Sequence, residues 1–307
     1  MKIIRDYQFV NTSDRGASVA VGNFDGVHLG HQKLFKKALI LKKRKKYKIG
    51  VVTFDPIPKM FFFKKIKNYR ISNFDQKLDI LKKFKVDFVI NKKFDLKFSK
   101  IKCNQFIEKF LYKKLSAKLI FVSNNFRFGN KREGDVKLLK FFEKKFNYRI
   151  INPSPLKKQK KIISSTSIRK LLEKGQISTA NKYLDRNWSI QGIVQLGRRL
   201  GKTIGFPTCN IDIGNYVIAK PGVYAVKILI NKTKKKLSGI ANLGYRPTFN
   251  QNKILLEVNI FNFKKNLYNK KLTVEFLKFI RGEKKFNGID ELKKQIKIDV
   301  KIAKKLK

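Results

Sequence analysis

Histidine occurs only twice in this 307-residue chain, as do cysteine and methionine, and there is one tryptophan. Cys103 and Cys209 cannot by themselves form a disulfide framework, and they lack the paired spacing of a zinc site. Both are expected to be reduced thiols. Long apolar runs are absent as well. The nearest, residues 60–63, is followed by lysines and falls far short of the roughly 18 residues that a membrane-spanning helix needs. The opening stretch, MKIIRDYQFV, has no sustained apolar region and no small-residue cleavage site, so no secretory signal is read. A cytoplasmic protein with no membrane partner is expected. Acidic side chains are the last scarcity: 21 Asp and Glu stand against 73 Lys and Arg, a formal charge of +52.

Self-repulsion on that scale demands a large core. The 42% apolar fraction, with 27 Phe and 10 Tyr, can build one, which excludes disorder as the main state and excludes a single mini-domain. At roughly 100–200 residues per domain, the length suggests two. The charge itself could mark a nucleic-acid binder, but such proteins gather their cations on one face. Here lysines recur throughout, as at 42–43, 45–46 and 234–236, and greatly outnumber arginines. That scatter reads as solvated surface, and no specific nucleic-acid partner is expected.

In the first half, short apolar runs at 17–24, 49–54, 86–90, 119–123 and 148–151 alternate with helical patterns at 31–46, 73–84, 104–114 and 135–146. Such alternation predicts right-handed crossovers and a parallel sheet, hence an α/β domain. Ligands of these sheets sit beyond the carboxyl ends of the strands, and the first strand-to-helix turn is the usual phosphate site. That turn reads GNFDGVHLGH, residues 22–31, and holds both histidines of the chain, His28 and His31. Three apart at a helix start, their rings can face one ligand beside unpaired backbone N–H groups. Taken alone, such a pair suits a phosphate, a metal or a structural role.

Gly22, Phe24, Asp25, His28, Gly30 and His31 together resemble the HxGH signature of the nucleotidyltransferase superfamily. Three further segments, VTFDPIP at 52–58, NNFRFG at 124–129 and ISSTSIR at 163–169, resemble the FMN adenylyltransferase module of bacterial bifunctional riboflavin kinase/FAD synthetases. The resemblance implies a Rossmann-like domain that transfers the adenylyl group of ATP to FMN. Ser164, Ser165 and Thr166 offer hydroxyls at a helix start, with Arg169 one turn on, a natural triphosphate grip; an ordinary N-capping run is the plain alternative. In-line attack on the α-phosphate needs no covalent intermediate, so His28 and His31 are expected to stabilise charge rather than act as nucleophiles. A flat flavin suits an aromatic, proline-lined slot, for which Phe54, Pro56, Pro58, Phe62, Asn125 and Phe128 are the candidates. The phenylalanines fit core packing equally well.

Near residue 185 the pattern changes to short strands, at 189–196, 222–230, 237–242, 255–261 and 272–279, which favours a small antiparallel barrel. Domains of 1–185 and 186–307 follow. Ile289, Leu292, Ile296, Val300 and Ala303 give a terminal amphipathic helix to cover the barrel. Between the first two strands lies GRRLGKTIGFPTCN, in which Gly197, Gly201 and Gly205 alternate with Arg198, Arg199 and Lys202 without forming an ordinary P-loop. Pro207, Thr208, Cys209 and Asn210 resemble the PTAN motif of riboflavin kinases, where Thr and Asn hold Mg2+ and ATP phosphates. GVYAV at 222, NLGYRPTFN at 242–250 and FIRGEKKFNGIDELKKQI at 279–296, with Arg281 as a flavin contact, extend that resemblance. It implies a Greek-key-type barrel in which Glu257 is the general base on the riboflavin 5′-hydroxyl; pairing with a lysine is the plain alternative.

Ile57, Ser123, Asn259 and Asn262 depart from the family pattern, in places that bear on the flavin pockets. Expected small-molecule partners are ATP, riboflavin and FMN, with Mg2+ as cofactor, on a monomer or weak homo-oligomer. Two rivals stand beside this reading: another HxGH transferase, which leaves the barrel half unexplained, and an RNA-binding protein on a degenerate scaffold.

Overall fold

The computed structural model describes the chain except residues 159–160, 197–199, 232, 234, 249–250 and 307, and except the side chains of residues 200, 202, 246–248 and 251–253. Gly197, Arg198, Arg199 and the Lys202 side chain therefore lie outside the described residues. Two compact units emerge from the contacts. One comprises Met1–Lys67 and Phe74–Ser164, the other Asn68–Asn73 and Ser165–Lys307.

The first unit is built on six parallel strands, β1 (Lys2–Ile4), β2 (Ser18–Val21), β3 (Ile49–Asp55), β4 (Phe88–Lys93), β5 (Leu119–Phe121) and β6 (Arg149–Ile151), in the order β1-β4-β3-β2-β5-β6. β2 and the first six residues of β3 are wholly buried, as expected of parallel strands covered on both faces. Alternation divides their side chains between two cores. Val19, Val21, Val52 and Phe54 join one, with Phe98, Phe106 and Leu111; Ala20, Ile49 and Val51 join the other, with Leu34, Phe35, Leu78 and Leu81. Helix Leu29–Lys45 ends on Lys42, Lys43, Arg44 and Lys45, cations that suit the negative end of its dipole. β7 (Lys157–Lys158) and β8 (Lys161–Ile162) form a small hairpin near the end of this unit.

The second unit is a closed antiparallel barrel of β9 (Ser189–Gln195), β10 (Cys209–Asp212), β11 (Gly222–Ile230), β12 (Leu237–Thr248), β13 (Gln251–Ile260) and β14 (Lys271–Arg281). Its circular order is β10-β13-β12-β11-β14-β9, closed by the β9–β10 pair. Helix Ile289–Lys304 packs Ile296, Val300 and Ala303 against Val223, Ala225 and Ile240. The expected fold class holds in both halves: a parallel α/β sheet, then an antiparallel barrel with a C-terminal helix.

Two strands differ from the sequence reading. The glycine-rich stretch 197–210 reads in sequence as a phosphate loop, but its last two residues open β10, which pairing with both β9 and β13 makes a strand. β12 runs past 242 to Thr248 because β13 pairs with it from Gly239 to Thr248. Helices Ser165–Glu173 and Ile177–Leu184 belong by contacts to the barrel unit. There Asn181 donates to the Phe276 carbonyl at 2.9 Å and accepts from the Trp188 amide at 2.7 Å.

Candidate active sites

In the sheet unit, β3 and β4 lie on one side of β2, and β5 and β6 on the other. Strand order therefore reverses at β2, where open α/β sheets place their ligands. Residues 22–28 turn from β2 into helix Leu29–Lys45. The Gly22 amide donates to the Val52 carbonyl at 3.0 Å. The Asn23 carbonyl accepts from Thr53 Oγ1 at 3.1 Å and from Lys77 Nζ at 2.8 Å. Phe24 and Val27 have φ of 46° and 36°, a region that aromatic and β-branched residues seldom enter. Gln32 Nε2 donates to the Val27 carbonyl at 3.1 Å. A strained loop is thus held by its neighbours.

His28 occupies the N-cap position of the helix and His31 follows within the first turn. Their rings stack at 3.7 Å between centroids with 22° between planes, and Phe24 meets His31 edge-on at 5.2 Å. Gly30 eases the fit: a Cβ there would lie a tight 3.1 Å from His28 Cε1 and Nδ1, so the ring would have to shift slightly. Burial, followed by the charges of His28 and Lys77, holds the His31 imidazole well below the ordinary histidine pKa. It is therefore neutral near pH 7. Asn23 Oδ1 and His31 Nδ1 are buried and have no hydrogen-bond partner among the described residues. Buried polar atoms are nearly always paired, so these two mark where a ligand's polar groups can complete the site. Asp25 is buried beside them in the turn.

Of the flavin candidates, Phe54 and Phe128 are buried in the sheet core, at 8% and 7% exposure, whereas Phe62 is 60% exposed. Phe62 meets Phe94 edge-on at 5.7 Å, and Phe94 meets Phe54 at 6.1 Å. Phe128 stacks with Phe126 at 5.5 Å and contacts Phe106. Pro58 opens the short helix Pro58–Phe62, Pro56 precedes it, and Asn125 is exposed. Ile57 is buried and Ser123 is exposed. Ser164 closes the sheet unit, whereas Ser165, Thr166 and Arg169 lie on a helix of the barrel unit. Arg169 donates through Nε to the Tyr69 carbonyl at 2.7 Å, with its guanidinium 3.6 Å above the Tyr69 ring.

In the barrel unit, strand register builds one transverse row. Gln195 opposes Asn210, Asn210 opposes Glu257, Glu257 opposes Asn242, Asn242 opposes Val223, and Val223 opposes Arg281. Directly opposed residues share a face and stand roughly 4.5–5.5 Å apart. All six strands contribute, and all six residues line one cavity of about 520 Å³ together with Thr208. Asn210 Oδ1 is buried with no hydrogen-bond partner among the described residues. Gly201 accepts from the Phe206 amide at 2.8 Å, closing the loop before β10; a Cβ on it would meet the Phe206 carbonyl at 2.4 Å and Thr208 Oγ1 at 3.2 Å. Gly205 takes φ of 82°. Asn259 donates to the Pro207 carbonyl at 2.8 Å, so this departure from the family pattern supports the same loop. Asn262 takes φ of 53° just after β13. Burial pushes the Cys209 thiol up to about 11, so it stays protonated. Arg281 is fixed by Asp299, with Nε contacts of 3.0 and 3.1 Å and an Nη2 contact of 2.9 Å.

The donor set suits a hard cation. Thr208 and Asn210 offer oxygens at the cavity wall, and the orphaned Asn210 Oδ1 is of the kind that Mg2+, which binds few protein ligands beside phosphates, can use. Among the described residues no cluster of three or more His, Cys, Asp or Glu could hold a metal, and no helix is long and apolar enough to cross a membrane. The sequence reading singles out neither Lys77 nor Asp299, and Asn242 only as the first residue of NLGYRPTFN. Lys77 had a signal: it shares spacing with Phe74, Leu78 and Leu81, a lysine on an apolar helix face.

Residues 10–167 match the family model for FAD synthetase, and residues 184–307 match that for riboflavin kinase. Among curated relatives, the bifunctional riboflavin kinase/FMN adenylyltransferase of Buchnera aphidicola subsp. Schizaphis graminum is 39% identical, over 99% of this chain and 98% of that one. The proteins of that name from Haemophilus influenzae and Escherichia coli K12 are 37% and 34% identical, the former over 99% and 98% of the two chains and the latter over 97% and 96%. A crystal structure described as a macrolide-efflux protein from Streptococcus pneumoniae superposes with a TM-score of 0.85 at 29% identity, covering 98% of each chain. The chain belongs to the bifunctional riboflavin kinase/FMN adenylyltransferase family.

Proposed function

We propose that this chain makes FMN and then FAD, phosphorylating riboflavin in the barrel and transferring an adenylyl group from ATP to FMN at the HxGH turn. The observation that carries the reading is the head-to-tail match to both family models, with each half holding a separate built site. Residues 1–185 are assigned to adenylyl transfer and 186–307 to the kinase, in a cytoplasmic enzyme.

For adenylyl transfer, the FMN phosphate attacks the α-phosphate of ATP in line and pyrophosphate leaves, so charge gathers on the equatorial oxygens. His28 and His31 are assigned as ring donors to those oxygens, worth most in a site that excludes water. Gly22, Phe24, Asp25 and Gly30 shape the turn, with Phe24 wedged against His31. Ser164, Ser165, Thr166 and Arg169 are assigned to the triphosphate. Phe62 supplies an exposed ring for the flavin, with Pro56, Pro58 and Asn125 beside it and Phe54 and Phe128 as its buried support.

For phosphorylation, Glu257 takes the proton of the riboflavin 5′-hydroxyl, without which an alcohol is a poor nucleophile. Thr208 and Asn210 would hold Mg2+ against ATP phosphates, whose charge the cation neutralises when bound. Gly201, Lys202, Gly205 and Pro207 form the loop that approaches those phosphates. Arg281 is assigned to the flavin side of the cavity.

Incubation with riboflavin, ATP and Mg2+, followed by chromatographic separation of flavins, tests the reading. FMN and FAD should both accumulate. Turnover of neither, together with RNA binding that weakens steeply with salt, would overturn it.

A further inference from the structure

Lys77 is the feature of the sheet unit that the proposed chemistry leaves unused. Its side chain is among the largest fully buried ones, at 2% exposure, in helix Phe74–Lys83 between Phe74 and the core residues Leu78 and Leu81. Burying an ammonium is costly, and an apolar side chain would fill the same helix face without that cost. Its contacts show what the charge does there. Nζ donates to the Asn23 carbonyl at 2.8 Å and to Thr53 Oγ1 at 2.9 Å, while Thr53 Oγ1 donates to the same carbonyl at 3.1 Å. Lysine, threonine and carbonyl thus form a triangle that ties helix Phe74–Lys83 to β3 and to the turn after β2.

The turn needs such a tie. Immediately after Asn23 comes Phe24 in the left-handed region, then Val27, then His28 at the helix cap. Such strained residues persist only where their surroundings over-determine them. The Asn23 carbonyl is the last backbone acceptor before the strain begins, and two donors fix it.

We propose that Lys77 is a positioning residue for adenylyl transfer: its buried ammonium, through the Asn23 carbonyl and the Thr53 hydroxyl, holds the 22–28 turn in the strained form that places Phe24 and the stacked histidines. The inference rests on the assignment of adenylyl transfer to that turn. Lys77 itself touches no reacting atom in this role. Its removal leaves substrate contacts in place and lets the histidines drift, and a misplacement of about 1 Å is enough to cost on the order of 10²-fold in rate.

The test measures FMN-to-FAD conversion and riboflavin phosphorylation by the full chain carrying Lys77→Met, Lys77→Arg or Thr53→Val. Lys77→Met should lower kcat for FAD formation by on the order of 10²-fold with KM for FMN and ATP little changed, and leave riboflavin phosphorylation at the parent rate. Lys77→Arg, which keeps the charge and the donors, should recover most of the loss. A wild-type kcat in Lys77→Met overturns the proposal. So does a loss in which KM rises in step with kcat falling and arginine restores nothing, since that pattern marks collapse of the unit. Should Lys77→Met fail to fold, Thr53→Val decides: a lower kcat at constant KM supports the triangle, and an unchanged kcat overturns it. The double substitution His28→Ala, His31→Ala separates this from the underlying assignment. If that variant still makes FAD, the assignment of the turn fails; if it does not while Lys77→Met does, only the role of Lys77 fails.

Discussion

The imidazoles of His28 and His31 stack 3.7 Å apart, with 22° between their planes. Two positive rings at that separation repel, and His31 is further held neutral by burial and by Lys77. The pair is therefore arranged to donate hydrogen bonds to an anion, with charge arriving mainly with the substrate. Replacing both with alanine should stop the reaction at FMN. Each single replacement should lower FAD formation by roughly 10²–10³-fold, the scale of losing one donor to a developing oxyanion, with riboflavin phosphorylation intact. Flavin chromatography reads both activities in one sample.

His31 also makes an acid-stability prediction. Its pKa in the folded chain lies below the ordinary value of about 6.5. A depressed value means the unfolded chain takes up the proton first, so the contribution to stability is complete above that ordinary value. It is lost as the pH falls toward the folded one. His31→Gln should flatten the fall in melting temperature between about pH 7 and about pH 5. An equal fall in both proteins would contradict the assignment.

Glu257 should separate the two activities in the opposite sense. Glu257→Gln keeps the shape of the row Asn210–Glu257–Asn242 and removes the base, so riboflavin phosphorylation should fall by roughly 10²–10⁴-fold. Supplied FMN should still be converted to FAD. Asn210→Leu should instead raise the Mg2+ concentration needed for half-maximal phosphorylation, read from a metal titration.

Asp299 is 1% exposed at its side chain and holds Arg281 through both carboxylate oxygens, with Gln295 donating to it at 3.0 Å. Asp299→Ala leaves the Arg281 charge half-buried and unmatched. Breaking one side of such a pair costs roughly 3–5 kcal/mol, and the partial exposure of Arg281 places the expected loss near the lower bound. Urea unfolding of the barrel transition measures it.

The +52 charge should appear in kinetics before it appears in specificity. Raising salt from about 0.01 M to about 0.1 M shortens the Debye length from about 30 Å to about 10 Å. kcat/KM for ATP should fall over that range while kcat stays level, because only the long-range attraction is screened.

Much of this was legible before any coordinates. Helix and strand alternation predicted the parallel sheet because periodicity is a local property, and the HxGH turn could be read because its six informative residues fall within the ten positions 22–31. What stayed hidden depended on partners. The strand Cys209–Asp212 looked like loop until its two neighbours were known. Phe54 and Phe62 looked alike as phenylalanines, yet one is core and the other 60% exposed. Asn259, read as a departure, turned out to brace Pro207.

By itself the sequence determined the fold class, the order of the two modules and the chemical groups available to each, since these follow from residue identity, spacing and order along the chain. Only the tertiary structure decided which groups act together. Cross-strand hydrogen-bond register aligned Gln195, Asn210, Glu257, Asn242, Val223 and Arg281 into one row, and a one-residue slip on any strand would have turned its member to the other face. Packing of helix Phe74–Lys83 against β3 likewise placed the buried Lys77 side chain within reach of a carbonyl 54 residues away.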